Sequence, residues 1–153
     1  MKIREICNRD AASVRRGQSV ADAASVMREH HVGSVVVVDE CGGKRVPVGM
    51  LTDRDIVIGV VAKSLDPGKI LVETAMGADL LAVRESDKVG RAVSLMRAQG
   101  VRRLPVVDAA GVLVGILAAD DLVELFAHEM SGIAGIIGRG AQRERAQRSA
   151  TLR

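Results

Sequence analysis

A short polar turn that follows an apolar run carries the residues best suited to chemistry. The run Gly49–Asp55 has the sequence Gly-Met-Leu-Thr-Asp-Arg-Asp, which predicts a strand that ends where a helix begins. Thr52 and Asp55 have the Thr-x-x-Asp spacing of a helix cap, and capping alone accounts for them. The same turn also suits a nucleotide. Free N–H groups at a helix N-terminus favour phosphate, Arg54 can pair with phosphate, and a carboxylate accepts hydrogen bonds from ribose hydroxyls.

This turn belongs to a segment that occurs twice in the chain. The copies align at an offset of 69 residues up to a Gly-containing turn and at an offset of 66 residues beyond it. The offset changes because that turn is three residues longer in the first copy. The aligned segments include Val37–Asp39 with Val106–Asp108, Val48–Leu51 with Val114–Leu117, and Asp55 with Asp121. Identities on both sides of the length change indicate an internal repeat. The recurrence of the turn favours ligand binding over helix capping alone.

Each copy has the pattern of a β-α-β-β-α unit. The predicted strands are Ala12–Arg15, Gly33–Val38 and Val46–Leu51 in the first copy, and Leu81–Arg84, Val101–Val107 and Val112–Leu117 in the second. Ser19, with Asp22 three residues later, predicts the start of the first helix, and Asp87 is the predicted N-cap in the second copy. The second helix of each copy is predicted to begin near Asp53 and Ala119, respectively.

One copy of about 60 residues buries only a modest core. We therefore expect the two repeats to pack pseudo-symmetrically into one compact module of the α+β class. The predicted boundaries are residues 3–62 for the first repeat, 63–71 for a linker, 72–128 for the second repeat and 129–153 for a Gly/Arg-rich tail.

Composition argues against several classes of protein. The 153 residues are 48% hydrophobic and 27% charged, which excludes an intrinsically disordered chain. With one Phe and no Tyr or Trp, nucleic-acid binding by base stacking is not expected. No apolar run is long enough for a membrane span and no secretory signal is evident, so we expect a cytoplasmic protein. Cys7 and Cys41 are expected to be reduced thiols. No metal-ligating or catalytic constellation is evident, which makes an enzyme the weakest class.

The net charge of +3 is local to the C-terminus. Residues 139–153 contain five arginines and one glutamate, a net of +4, so the preceding residues carry a net of −1. A solvated, frayed terminus is the simplest interpretation. Contact of this tail with nucleic acid or an acidic partner is the alternative.

The tandem units are similar to a pair of cystathionine-β-synthase (CBS) domains, also called a Bateman module. Two motifs carry the resemblance, the strand Leu104–Asp108 (Leu-Pro-Val-Val-Asp) and the turn Gly49–Asp55, and the similarity extends over about residues 3–128. It implies a regulatory module without catalysis and a homodimer in which two pairs form a flat disc. It also implies an adenosine-containing ligand, AMP, ADP, ATP or S-adenosylmethionine, with no metal required.

The resemblance places a first ligand site between the two repeats. Its implied residues are Thr52, Arg54, Asp55, Val101, Arg102, Arg103 and Pro105. Asp55 is expected to hold ribose, and Thr52, Arg54 and Arg103 to face phosphate. Adenine is expected to lie against apolar strand edges, because no aromatic side chain is available to stack on it.

The resemblance also implies a second, degenerate site. Its implied residues are Val32, Gly33, Ser34, Ala118 and Asp121. Ala118 stands where the first site has a threonine, and Asp120 stands where it has an arginine. Asp121 remains suited to ribose, whereas Asp120 is expected to repel phosphate. We expect this site to be empty, weak or selective for a ligand without phosphate.

Two functions follow, and the first is preferred. The chain is predicted to be an adenine-nucleotide sensor that regulates a separate partner protein, not named by the sequence. Alternatively, it is a dimeric adaptor that binds nucleic acid or an acidic partner through its Arg-rich tail. A steep salt dependence of DNA binding that truncation at Gly138 abolishes would favour the adaptor.

Overall fold

The computed structural model describes residues 1–77 and 79–151. For residues 144–146 and 148–151 it describes the backbone but not the side chains. The strands are β1 (Ser13–Arg15), β2 (Ser34–Cys41), β3 (Lys44–Thr52), β4 (Val83–Arg84), β5 (Arg103–Val107) and β6 (Leu113–Ala118). The α-helices are α1 (Val20–Glu29), α2 (Asp53–Ile56), α3 (Val72–Ala75), α4 (Val89–Gln99) and α5 (Ala119–Thr151). A 3₁₀ turn covers Ile3–Glu5, and a π-helical segment, Val57–Val61, continues α2.

The strands form two three-stranded sheets with the same topology, in the orders β1-β2-β3 and β4-β5-β6. In each sheet the first strand pairs in parallel with the second, and the second forms an antiparallel hairpin with the third. Each hairpin has a register shift at the equivalent place, next to Val38 in one and next to Val107 in the other. The predicted α+β class with two repeats of one topology is confirmed.

Four consecutive valines, Val35–Val38, form the middle of β2 because both faces of the strand are buried there. Val35 and Val37 pack in a cluster with residues of α1, among them Val20 and Met27. The alternate residues Val36 and Val38 pack in a second cluster with Ala11 and Leu113 of β6. Successive strand residues point to opposite faces of a sheet. One face therefore holds the repeat's own helix, and the other joins the first repeat to the second.

The segments that precede each repeat's first strand also connect the repeats. Asn8 exchanges backbone hydrogen bonds of 2.9 and 2.8 Å with Ile116 of β6. In the mirrored contact, the Gly77 N–H donates to the Met50 carbonyl of β3 at 3.1 Å. Gly115 permits the first contact, because a Cβ there would lie 2.5 Å from the Asn8 carbonyl oxygen. Each lead-in segment therefore contacts the hairpin of the other repeat.

The two predicted helix caps have different outcomes. Ser19 caps α1 as predicted, in a capping box with Asp22. The predicted cap at Asp87 is wrong, since the N-cap of α4 is Lys88, which makes no side-chain cap bond. Asp87 instead accepts from the Arg84 N–H at 3.0 Å and pairs with Arg91 at 3.2 Å. The 69-residue offset aligns Ser19 with Lys88, so the capping side chain is absent from the second copy.

Residues 1–118 form one compact unit that holds both sheets, and α5 belongs to a second. The residues predicted to form a frayed tail are helical through Thr151, and no proline interrupts this stretch. Residues 152 and 153 of that predicted tail lie outside the described residues.

Candidate functional site

The turn between β3 and α2 forms a complete capping box. The Thr52 hydroxyl accepts from the Asp55 N–H at 3.1 Å and lies 2.7 Å from Asp55 Oδ2 as donor. Oδ2 also accepts from the Thr52 N–H at 2.9 Å. These bonds hold the carboxylate at the helix start and use one of its oxygens. The other oxygen, Oδ1, has no partner in the part of the chain that the structure describes, so it can accept from a ligand.

A cleft of about 390 Å³ lies against this turn, and both repeats line it. From the first repeat come Gly33, Ser34, Met50, Thr52, Asp53, Arg54 and Asp55. From the second come Gly77, Asp79, Leu81, Gly100, Val101, Arg102 and Arg103. The volume falls within the range of ~300–1,000 Å³ typical of small-molecule sites.

Six of the seven residues proposed for the first site line this cleft, and Pro105 does not. Pro105 is buried in β5, in register with Ile116 of β6. The cleft therefore meets β5 at its beginning, at Arg103. Strand position 105 belongs to the sheet rather than to the cleft wall.

Two residues proposed for the second site, Gly33 and Ser34, lie in this same cleft. The Asp53 N–H donates to the Gly33 carbonyl at 3.0 Å, which holds the start of β2 against the start of α2. A Cβ on Gly33 would lie 3.0 Å from Asp53 Oδ2, so this approach suits glycine. Hairpin pairing of Ser34 with Thr52 explains the placement, because it aligns the beginning of β2 with the end of β3.

Ser34 is the most unusual polar group in the cleft. Its side chain is buried, with the residue 4% exposed. Its Oγ has no hydrogen-bond partner among the described residues. A buried hydroxyl without a partner costs about 1–3 kcal/mol. A ligand that bonds this hydroxyl would remove that cost.

Three arginines line the cleft, together with the carboxylates of Asp53, Asp55 and Asp79. The guanidinium groups of Arg54, Arg102 and Arg103 form no ion pair with the residues that the structure describes. The Asp53 carboxylate accepts from the Arg54 N–H at 2.8 Å. Guanidinium groups bind phosphate through charge-assisted hydrogen bonds. This cleft therefore has the donors that an anionic ligand needs.

Sequence reasoning missed six of the lining residues. They are Met50, Asp53, Gly77, Asp79, Leu81 and Gly100. One signal was present, since the 69-residue offset aligns Asp79 with Asp10 as an identity between the repeats. Gly100 has a φ of 66° at the end of α4, a left-handed conformation that glycine adopts readily. It turns the chain so that Val101 and Arg102 follow directly into the cleft.

The remaining residues proposed for the second site lie elsewhere. Val32 lines a shallow surface groove with Met27 and Ile56. Ala118 ends β6, in register with Arg103 of β5. Asp121 lies in the first turn of α5. The second site thus remains a prediction.

Comparison with known proteins gives this architecture a family. The sequence model of the CBS domain matches twice, over residues 3–61 and 72–128. The chain belongs to the CBS domain family. The two matched segments correspond to the two repeats, and the cleft is formed by residues of both.

Three proteins illustrate what the chain is similar to. An uncharacterized protein of Methanopyrus kandleri is 36% identical over 125 residues, which is 82% of this chain and 62% of that protein. Hypoxic response protein I of Mycobacterium tuberculosis, solved with two coordinated zinc ions, has a TM-score of 0.71 and 30% identity, covering 81% of this chain and 98% of that one. The CBS domain protein PAE2072 of Pyrobaculum aerophilum, solved with AMP, has a TM-score of 0.73 and 27% identity, covering 80% and 90%.

No group of three or more His, Cys, Asp or Glu side chains is arranged to hold a metal ion within the described residues. None of the described helices is long and apolar enough to cross a membrane.

Proposed function

We propose that the cleft binds an adenine nucleotide and that the protein uses this binding to regulate a separate partner protein, with no catalysis of its own. One observation carries the proposal. A cleft built from both repeats of a CBS pair holds three guanidinium groups and a buried hydroxyl. None of the guanidinium groups has an ion-pair partner, and the hydroxyl has no hydrogen-bond partner, among the residues that the structure describes. The complex of the related PAE2072 protein with AMP supports the choice of ligand class.

Each part of a nucleotide has a counterpart in the cleft. Arg54, Arg102 and Arg103 supply positive charge for phosphate. Asp55 Oδ1 is available to accept from the ribose hydroxyls. Adenine fits against the half-buried apolar residues of the two repeats, which are Met50, Leu81 and Val101.

Binding between the repeats provides a way to signal. A ligand that contacts both repeats stabilises the arrangement in which both sets of contacts are made, and it shifts the population toward that arrangement. A partner protein that recognises the same arrangement would then bind more tightly when the nucleotide is present.

The test is calorimetric titration of AMP and ATP into the wild-type protein and into Asp55→Ala. We expect Asp55→Ala to lower the affinity at least about tenfold, since it removes a charged hydrogen-bond acceptor from the ribose. The matched control is Asp22→Ala, which removes the carboxylate of the same type of capping box in α1, outside the cleft. Asp22→Ala should bind as the wild type does. Undiminished binding by Asp55→Ala would contradict the site.

A second pair of variants separates phosphate recognition from nucleoside recognition. Arg102→Met should weaken AMP binding about tenfold while leaving adenosine binding nearly unchanged, because adenosine has no phosphate. Arg97→Met is the control, since Arg97 is an exposed arginine of α4 that does not line the cleft. Equal losses for AMP and adenosine would mean that Arg102 does not face the phosphate.

A further inference from the structure

An apolar stripe runs along α5 and is open to solvent. Val123, Phe126, Met130, Ile133 and Ile137 are each between 50 and 70% exposed. Their spacing alternates between three and four residues, which is the spacing of the core positions in a helical coiled coil. The match to the CBS domain ends at residue 128. Three of the five stripe residues, Met130, Ile133 and Ile137, therefore lie beyond the matched part of the chain.

The sequence of α5 has a low intrinsic helix propensity in the part that carries this stripe. Gly132, Gly135, Gly138 and Gly140 lie within nine residues of one another, and glycine is among the least favourable residues in a helix interior. Helices in water owe most of their stability to packing of an apolar face. The stripe is the apolar face that α5 has available for such packing.

Charge is divided between the two halves of the same helix. Residues 119–130 contain four carboxylates and no Lys or Arg, whereas residues 131–151 contain four arginines and one glutamate. Two copies of α5 side by side in the same direction would place like charges together. Two copies in opposite directions would place the acidic half of each against the basic half of the other.

We propose that the stripe on α5 is the contact between two copies of this chain, with the two helices antiparallel. A register that pairs Phe126 with Ile137 of the second copy also pairs Met130 with Ile133. The same register brings Glu124 level with Arg139 of the second copy, and Asp120 level with Arg143. The same antiparallel register therefore pairs apolar side chains with each other and places carboxylates opposite arginines.

The area of the stripe is sufficient for such a contact. Five large side chains, each at least half exposed, would be covered in both copies. Burial of most of this surface removes on the order of 1,000 Å² from water, which reaches the lower limit for a biological protein interface. The contact lies on α5 alone, so the proposal does not depend on nucleotide binding in the cleft.

The first test is sedimentation equilibrium of the full chain at micromolar concentration. The wild type should self-associate, and Ile133→Glu/Ile137→Glu should weaken the association by about 100-fold or more, because each change affects the centre of the contact in both copies. The matched control is Gly132→Glu/Gly135→Glu, which adds the same charge to the opposite face of α5. Side chains have room there, since a Cβ meets nothing within 4 Å at Gly132 and only the Arg139 guanidinium, at 3.9 Å, at Gly135.

The control should keep the wild-type dissociation constant within about threefold. If circular dichroism shows that the glutamate pair unfolds α5, Ile133→Ala/Ile137→Ala replaces it, because alanine favours helix while removing the apolar contact. A monomeric wild type, or stripe variants that associate as tightly as the wild type, would overturn the proposal.

The second test determines the direction of the helices. Arg139→Glu/Arg143→Glu should weaken the association about tenfold at low salt in the antiparallel arrangement, since these arginines then face carboxylates. Adding Asp120→Arg/Glu124→Arg to that variant exchanges the signs of both facing charge pairs and should restore the association. In a parallel arrangement, positions 139 and 143 would face their own counterparts, so Arg139→Glu/Arg143→Glu would only replace one pair of like charges with another. An association that this variant leaves as tight as in the wild type, or makes tighter, would overturn the antiparallel pairing.

Discussion

Removal of the Ser34 hydroxyl should change stability and affinity in opposite directions. The Oγ atom is buried without a hydrogen-bond partner in the described chain, and it lies in the wall of the cleft. Ser34→Ala removes an uncompensated polar atom from the unliganded protein. It also removes a hydroxyl that a nucleotide in the cleft is expected to bond. The unliganded protein should therefore become more stable, and the complex should become weaker.

The two magnitudes follow from ordinary hydrogen-bond energies. A buried hydroxyl without a partner costs about 1–3 kcal/mol, so Ser34→Ala should raise the free energy of unfolding by about 1 kcal/mol after a small loss of packing. For a chain of this size that corresponds to a rise in Tm of ~2–4 °C. A hydrogen bond to the ligand contributes about 1 kcal/mol, so the affinity for AMP should fall about fivefold.

Urea denaturation and calorimetric titration with AMP measure the two effects on the same samples. Ser25→Ala is the control, because the Ser25 hydroxyl is exposed and bonds the Ala21 carbonyl at 3.1 Å. It should leave both quantities nearly unchanged. A lower free energy of unfolding in Ser34→Ala would refute the reasoning, since it would mean that the hydroxyl is already bonded in the unliganded protein. An unchanged affinity for AMP would remove Ser34 from the ligand site.

Two further predictions concern packing and pH. Gly49→Ala should lower the free energy of unfolding in urea by about 1–3 kcal/mol, because its Cβ would lie 2.8 Å from the Gly77 carbonyl oxygen. The control is Gly90→Ala, whose Cβ would have no atom within 4 Å, and it should raise the free energy of unfolding by about 0.5–1 kcal/mol. Equal effects of the two substitutions would contradict the packing argument. Hydrogen bonds from the Ser19 hydroxyl and backbone N–H lower the pKa of Asp22 from its usual value, so Ser19→Ala should raise that pKa in an NMR titration. The pKa of Asp22 is lower in the folded protein than in the unfolded chain. The ionised carboxylate therefore stabilises the folded state fully above about pH 4, and this stabilisation is lost as the pH falls through the folded pKa. An unchanged pKa of Asp22 in Ser19→Ala would contradict this cause.

Local features of the fold were predictable from the sequence because they depend on neighbouring residues. The capping box of Ser19 and Asp22 needs only their spacing and the residues between them. The hairpins follow from apolar runs on either side of a glycine turn, and the two repeats follow from identities at a constant offset. Asp87 shows the limit of this approach. Its carboxylate pairs with Arg91 and accepts from the Arg84 N–H, and it does not cap the N–H groups at the start of α4.

Placement of the cleft residues was only partly predictable. A repeat offset shows which positions are equivalent, but it does not show which of two equivalent sites a side chain faces. Ser34 was expected beside Asp121, whereas hairpin pairing with Thr52 places it in the cleft with Arg54. Asp79 lines the same cleft from the segment that precedes β4 in the second repeat, and no local sequence pattern marks it as a ligand contact.

By itself, the sequence determined the repeat, the α+β class, the first-repeat cap and the turn Gly49–Asp55 that carries Asp55, because spacing and identity along the chain suffice for these. Only the tertiary structure decided that Ser34 is buried with no hydrogen-bond partner among the described residues, and that the arginines of both repeats share one cleft. It also decided that the apolar residues of α5 are exposed. The physical reason is that burial and partnership depend on segments far apart in the chain, and a periodic apolar pattern is the same whether or not another surface covers it.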